Sequence, residues 1–537
     1  MTGFRPVRTF GDGGAVADVD SLEEAHGLAA AVSAARHDGI DDVIVGHRSV
    51  TVVIDPTRAD LAGVGQMLAT TVPLPPGSAT RPRIDIPVTF DGVDLDEVGH
   101  LVSLSPTRVA ALLTGTDLQV AFVGFAPGFG YLVGLPPELA SVPRRPTPRP
   151  SVPGGSVALA GGFAGVYPQA SPGGWHLIGR TDMPMFDPES PPYSALRAGD
   201  IVRLRQADSV GTPAHSRSTG QRPTLRSDAT RTVRVEDAGW LSFVQDRGRL
   251  GVAGLGVPRA GGADPYALRL ANRMVGNGDD GAVVETTARG PALRFSVPAH
   301  VAVVGTAVVS IDGHEVPSGS VIPVAAGQTM TTGSEKGGLR SYIAIAGGID
   351  IARVLGSRSS DVLSGLGVGP LRSGDVLGLG PPGRPSGRTR AIDASREGPT
   401  VRIMVGPDVF PSATFERLVS TTWEVGSSSN RIGVRLQADR PLAVPNLDIA
   451  SRGMVTGAIQ LPPDGQPIIL LNDHATVGGY PVIATVVSAD LGLLGQLGPG
   501  DPVRFGLVDL TEAVEGRRKR ERTMDDAVMG WYPVRTD

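Results

Sequence analysis

Asp246, Asp264, Glu285, Asp473 and His176 are the side chains whose type and setting in this sequence best suit proton transfer. The carboxylates stand in polar or glycine-punctuated stretches, among them Asp246-Arg247-Gly248, Gly261-Gly262-Ala263-Asp264 and Asn472-Asp473-His474. Arg431 and Arg435 lie close by in sequence, and a guanidinium grips a carboxylate or phosphate through parallel N–H donors. Asn430 and Asn472 add amide groups. Backbone N–H groups at Gly173-Gly174 and Gly478-Gly479 can face an oxyanion, and each pair leads into an aromatic residue, Trp175 or Tyr480, with Tyr167 upstream. Anion clamps, oxyanion donors and a proton carrier are the parts of catalysis at a carbonyl or phosphoryl centre. The same residue types also build turns, and for Asp246 and Asp473 the two roles compete evenly. Tyr167 and Trp175 read more readily as barrel core or rim than as substrate platforms, and Arg144-Arg145 as a surface pair. His474 is a further ionisable neighbour of Asp473.

What must position these groups is written twice. Pro172-Gly173-Gly174-Trp175-His176-Leu177-Ile178 is followed by Leu196-Arg197-Ala198-Gly199-Asp200-Ile201-Val202. Val477-Gly478-Gly479-Tyr480-Pro481-Val482-Ile483 is followed by Leu497-Gly498-Pro499-Gly500-Asp501-Pro502-Val503. Leu371-Arg372-Ser373-Gly374-Asp375-Val376 is a weaker third copy of the closing element. A glycine pair allows close backbone approach or positive φ, and a Gly-Asp turn feeding an apolar strand closes a sheet. The expected fold is mainly β with α+β parts: two tandem β-barrel units, the first preceded by a small α/β subdomain. Helices are expected over Leu22–Arg36, Leu95–Leu101 and Pro106–Leu113, the last capped by Ser105 with proline at its first position. Strands are expected at Ser49–Ile54 and Arg83–Val88. The division reads 1–80 α/β, 81–205 barrel, 206–232 linker, 233–395 β-rich unit, 396–510 second barrel and 511–537 charged tail. A second linker-like stretch covers 381–400, and Pro73–Gly77 marks a boundary.

Composition excludes several chemistries. The 537 residues include no cysteine, so thiol nucleophiles, disulfides and cysteine metal sites are ruled out. Lys336 and Lys519 are the only lysines, and neither lies in a phosphate-binding loop or a Met-Lys-Met biotin site. The remaining histidines show no ligand spacing, and no metal held by protein ligands alone is expected. Net charge of −5 gives no reason to expect a nucleic-acid partner, and no apolar run reaches the ~18 residues of a membrane span. The start of the chain lacks the apolar core of a signal peptide, so a cytoplasmic location is expected.

Gly124-Phe125-Ala126-Pro127-Gly128-Phe129-Gly130-Tyr131-Leu132, Val152-Pro153-Gly154-Gly155-Ser156 and Ser171-Pro172-Gly173-Gly174-Trp175 run in an order that resembles the B subunit of prokaryotic 5-oxoprolinase, also described as allophanate hydrolase subunit 1. Val244-Gln245-Asp246-Arg247-Gly248, Gly261-Gly262-Ala263-Asp264, Arg340-Ser341-Tyr342 and Ser429-Asn430-Arg431-Ile432-Gly433 resemble the C subunit. The chain thus looks like a B–C fusion. The resemblance implies cyclophilin-like barrels, likeness to the carboxyltransferase domain of urea carboxylase, and ATP-dependent opening of 5-oxoproline to glutamate with a separate A-type subunit. It implies ATP as cosubstrate and no biotin on this chain.

Two alternatives follow from the same resemblance: a carboxyltransferase fed by a biotin carrier protein, and a binding module that inhibits a kinase. Homo-oligomerisation stays open. Serine hydrolysis is disfavoured, because Gly426-Ser427-Ser428-Ser429 has no lysine placed as its base and no Gly-x-Ser-x-Gly elbow occurs. Two departures bear on the site. Leu113 stands where many B-type relatives carry histidine, and Ala475-Thr476-Val477 replaces the usual Gln-Thr-Thr before Gly-Gly-Tyr.

Overall fold

A computed structural model describes residues 5–75, 83–211, 230–317, 319–335, 338–383, 400–445 and 449–529. Most of both linker-like stretches, and part of Pro73–Gly77, lie outside the described residues. The chain is mainly β. A four-stranded antiparallel sheet carrying Val7–Phe10, Gly14–Asp18, Ile40–Val45 and Ser49–Ile54 packs against the helices Leu22–Ala35 and Leu61–Thr70. Helices Leu95–Val102 and Pro106–Gly115 follow. Ser105 Oγ accepts the Arg108 N–H at 3.2 Å, the cap that the sequence indicated.

The first barrel is a seven-stranded sheet that begins with Arg83–Val88 and ends with Ile201–Gln206, and these two strands pair in parallel. A bridge between Thr89 and Arg180 brings the edges of the sheet together. In the second half, a six-stranded and a five-stranded sheet enclose an aliphatic core. The second barrel is fully closed, and its first and last strands, Thr400–Val405 and Pro502–Leu507, again pair in parallel. Both barrels therefore close by joining their ends in the same sense.

The Gly-Asp repeats are the turns that launch these closing strands. Asp200 Oδ2 accepts the Arg197 N–H at 2.8 Å, Asp375 Oδ2 the Arg372 N–H at 2.7 Å and Asp501 Oδ2 the Gly498 N–H at 2.8 Å. Gly199, Gly374 and Gly500 hold φ of +94°, +93° and +87°, where a side chain would be strained. The third copy thus has the geometry of the other two and feeds Val376–Gly378 in the six-stranded sheet.

The glycine pairs behave differently. Gly173, Gly174, Gly478 and Gly479 are absent from the positive-φ set, and close approach occurs at Gly173 and Gly478, whereas a Cβ on Gly174 or Gly479 would lie 3.8 or 3.6 Å from its nearest neighbour. A Cβ on Gly173 would lie 2.8 Å from Tyr167 Cζ and closer still to its hydroxyl. Gly173→Ala is expected to destabilise the protein by about 1–3 kcal/mol through overpacking. Denaturant unfolding checks it, and an unchanged midpoint would show that Tyr167 can yield.

The α/β sheet at the front is wedged against the second half. Asp12 Oδ1 accepts the Ser488 N–H at 2.7 Å, Asp42 Oδ1 the Ala253 N–H at 2.8 Å, and His47 N–H donates to Ser451 O at 2.7 Å. Phe10 and Val16 share a core with Met454, Val455 and Val482. The halves meet through buried apolar surface as well as hydrogen bonds.

The charged C-terminal segment reads as an exposed charged helix by composition, and Leu510–Met529 is a helix, but one with Ala513, Met524 and Ala527 buried. Met524 and Ala527 pack with the helix Pro265–Met274. Arg517 pairs with Asp12 at 3.2 Å and Glu521 with Arg269 at 2.7 Å. Its charges are anchored on one face and free on the other.

Candidate active site

Glu285 lies on the strand Val283–Thr287, Tyr342 opposite it on Arg340–Ile345, and Arg431 on a loop of the second barrel. All are buried, as is Asp473. Arg431 donates through Nε and Nη2 to Asp473 at 3.1 and 3.0 Å, through Nη2 to Gly261 O at 2.6 Å, and through Nη1 to Glu285. Glu285 also accepts the Ala263 N–H at 2.8 Å and the Tyr342 hydroxyl at 2.9 Å. Burial alone would lower the Arg431 pKa, but Asp473 and Glu285 raise it and keep the guanidinium charged. Burial, with Glu285 next, drives the Tyr342 phenol well above its ordinary value. The three groups Arg431, Glu285 and Asp473 thus form one closed ionic cluster. Its donors are spent on internal acceptors, so Arg431 orients carboxylates instead of gripping a free anion.

This cluster leads outward through Tyr342, whose oxygen accepts the Asp264 N–H at 2.6 Å. Asp264 caps the helix Pro265–Met274, accepting the Tyr266 and Ala267 N–H groups at 3.2 and 3.0 Å. Its other oxygen accepts from the Gln496 amide at 3.3 Å. Burial pushes the Asp264 pKa up, opposed by Arg520. Asp264 and Gln496 line a cleft of about 570 Å³ between the C-terminal helix, the helix it caps and the second barrel. Asp264 is therefore the sequence-selected carboxylate that reaches a cavity.

Asp246 has a different part. Its oxygens accept the Ser357 and Ser359 hydroxyls at 2.5 and 2.6 Å and the Gly248 and Arg358 N–H groups at 2.9 and 2.7 Å. These contacts tie two loops together. Asn430 Oδ1 accepts the Ile432 N–H at 2.8 Å in a local turn, and Arg435 is exposed on the strand Gly433–Gln437. Arg431 and Arg435 therefore do not form a joint clamp. Asn472 donates to Gly262 O at 2.8 Å and so braces the loop before Asp264. His474 is buried, and burial lowers its pKa. Tyr480 is exposed, beyond the short strand Val477–Gly478.

His176 belongs to the other half. Tyr167, Trp175 and Phe129 form a buried aromatic group, and burial pushes the neighbouring Tyr131 phenol up to about 12. His176 is buried on the next strand position, and neither of its ring nitrogens has a hydrogen-bond partner among the described residues. Nδ1 stands 3.8 Å from Glu97. Nearby, Asp94 accepts from Arg149 at 2.6 Å, Arg145 at 3.1 Å and the Leu177 N–H at 2.7 Å. Arg145 is thus held to a buried carboxylate, whereas the sequence reads it as a surface residue. Leu113 is fully buried in the first barrel's core. Val477 packs against Gly124 of the first half, where a Cβ would lie 2.6 Å from it.

Sequence reasoning missed Tyr342, Gln496, Asp94 and Asp361 as parts of these networks. Alternation along Arg340-Ser341-Tyr342 puts Arg340 and Tyr342 on one face and was a usable signal. Asp361 accepts the Leu363 and Ser364 N–H groups at 2.8 and 3.2 Å, and burial, with Asp473 next, pushes its pKa up to about 6. Below about pH 4 the folded and unfolded chains both hold this proton. Between about pH 4 and 6 the unfolded chain loses it first, so stability falls as pH rises and the loss is complete above about 6. A shift from 3.8 to about 6 corresponds to roughly 3 kcal/mol. Asp361→Asn should stabilise the protein by about 1–3 kcal/mol at pH 8 and flatten the slope between pH 4 and 6. Denaturant titrations at both ends of that range check it, and equal losses in variant and parent would refute the assignment.

The ionic cluster bridges the closed barrel to the five-stranded sheet. The family model for carboxyltransferase subdomains C and D matches residues 7–196, and that for subdomains A and B matches 255–507. The chain belongs to this family and joins a B-like and a C-like half. It is 34% identical over 296 residues to the C subunit of 5-oxoprolinase from Escherichia coli K12, covering 54% of this chain and 96% of that one. It is 46% identical over 127 residues to the B subunit of 5-oxoprolinase from Bacillus subtilis 168, covering 23% and 52%. Urea amidolyase of Saccharomyces cerevisiae is 32% identical over 325 residues, 55% of this chain and 17% of that one. The crystal structure of TTHA0988 superposes with a TM-score of 0.85 at 33% identity, covering 93% of this chain and 100% of that one. No helix among the described residues is long and apolar enough to cross a membrane.

Proposed function

We infer that this chain is the B–C component of an ATP-dependent 5-oxoprolinase, opening 5-oxoproline to glutamate together with a separate A-type subunit. The observation that carries this reading is the presence of both subunit-like halves in one polypeptide, docked through a shared core. In this reading Asp264 is the proton carrier, since it is the candidate carboxylate that lines a cavity and its pKa is raised by burial. Glu285, Arg431 and Asp473 are positioning residues that fix Tyr342 and the loop before Asp264. His176 lies in the first barrel and serves a separate role there.

Nucleotide is assigned to the complex and not to the glycine pairs of this chain. A phosphate nest needs successive N–H groups in alternating right- and left-handed backbone, and neither pair has positive φ. The reading is tested by following 5-oxoproline and ATP with and without the A-type subunit, with turnover expected only in the mixture. Carboxyl transfer from a biotin carrier is the second reading, favoured by the match to the carboxyltransferase models and to urea amidolyase. A cytoplasmic setting accompanies either reading.

A further inference from the structure

The cleft of about 570 Å³ beneath the C-terminal helix has the size of a small-molecule site, for which about 300–1,000 Å³ is usual. Its charge is lopsided. Lys519 and Arg520 project from the C-terminal helix as lining residues, and neither makes an ion pair among the described residues. Arg520 lies over the Tyr266 ring with its guanidinium carbon 4.6 Å from the centroid, and its charge also acts on Asp264. Arg402 also lines the cleft but is already bound to Asp490 at 2.6 Å. Asp264 and Gln496 form a hydrogen-bonded polar floor, with Arg520 close enough to act on Asp264. Leu270 and Met524 supply an apolar wall between the two. The arrangement therefore has a cationic end, an apolar middle and a floor of amide and carboxyl groups.

We propose that this cleft is a binding site for a small organic carboxylate with an amide or carbonyl group, its carboxylate held by Lys519 and Arg520 and its carbonyl end facing Gln496 and Asp264. The site rests on the 5-oxoprolinase reading only for the choice of 5-oxoproline as probe. It moves substrate recognition away from the glycine pairs and places it at the junction of the second half with the C-terminal helix.

The experiment is calorimetric or NMR titration of the full chain with 5-oxoproline, alongside Lys519→Glu and Arg518→Glu. Both positions are exposed on the same helix, and Arg518 lines a separate cleft on the opposite flank with Asp12 and Arg58. Binding should weaken at least tenfold in Lys519→Glu and stay within twofold in Arg518→Glu, with circular dichroism unchanged in both. Equal binding by all three proteins, no binding by the parent, or displacement of 5-oxoproline by ATP from the same cleft would overturn the proposal. Turnover with the A-type subunit separates the two readings. Full activity in Lys519→Glu would sink the site and leave the oxoprolinase reading standing. Lysine-dependent binding without turnover in any mixture would do the reverse.

Discussion

Replacing Arg431 with methionine is expected to lower stability by about 3–5 kcal/mol and to abolish activity in the assembled enzyme. Arg431 holds Glu285 and Asp473, which lie 146 and 42 residues away in sequence, and all three are buried. Methionine keeps much of the volume but strips Asp473 of its ion pair and leaves Glu285, among the described residues, with only the longer 3.7 Å contact to Arg340. Removing one partner of such a set costs more than the set itself contributes, because the desolvated charges stay behind. Thermal or denaturant unfolding measures the loss. Arg431→Lys tests geometry as well, since one ammonium cannot reproduce three directed nitrogens. A lysine variant as stable as the parent would show that charge alone suffices and that Arg431 fixes no orientation.

Asp94→Ala is expected to loosen the first barrel by about 2–4 kcal/mol while sparing the second half. The carboxylate is buried and gathers Arg145, Arg149 and the Leu177 N–H. Both arginines keep about a quarter of their side-chain surface exposed, so solvent screens part of the loss and sets the lower figure. The Leu177 N–H is buried and would have no acceptor, which sets the upper one. Hydrogen exchange resolves the claim by region: faster exchange at Ser156–Ala160 and His176–Arg180, with Thr400–Val405 unchanged. Uniform acceleration across both barrels would show that the halves unfold as one unit.

Much of the architecture was legible because it is local. Ser105-Pro106 starts a helix at its stated residue, Ser49–Ile54 is a strand with the expected ends, and the Gly-Asp turns deliver the strands that close both barrels. Each depends on residues within a few positions of one another. The site was less legible because its pairs are distant. Nothing near Asp246 announces that its acceptors are taken by Ser357 and Ser359, 111 and 113 residues later. The same carboxylate chemistry that suits catalysis also suits a helix cap at Asp264 and a loop tie at Asp246. The docking of the C-terminal helix was missed for another reason. Its charge dominates the composition, whereas Ala513, Met524 and Ala527 are buried, with Arg517 and Glu521 paired to the body of the molecule.

The family match brings two reaction types within reach, and one assay tells them apart. Purified chain, A-type subunit and their mixture, each with and without a biotin carrier protein, are given 5-oxoproline, ATP and labelled bicarbonate, with glutamate, ADP and carboxylated product measured together. The expected result is glutamate and ADP released in equal amounts by the mixture alone, with no label incorporated. Label incorporation that depends on a biotin carrier, or the absence of glutamate from a mixture in which the two proteins form a stable complex, would contradict the oxoprolinase reading.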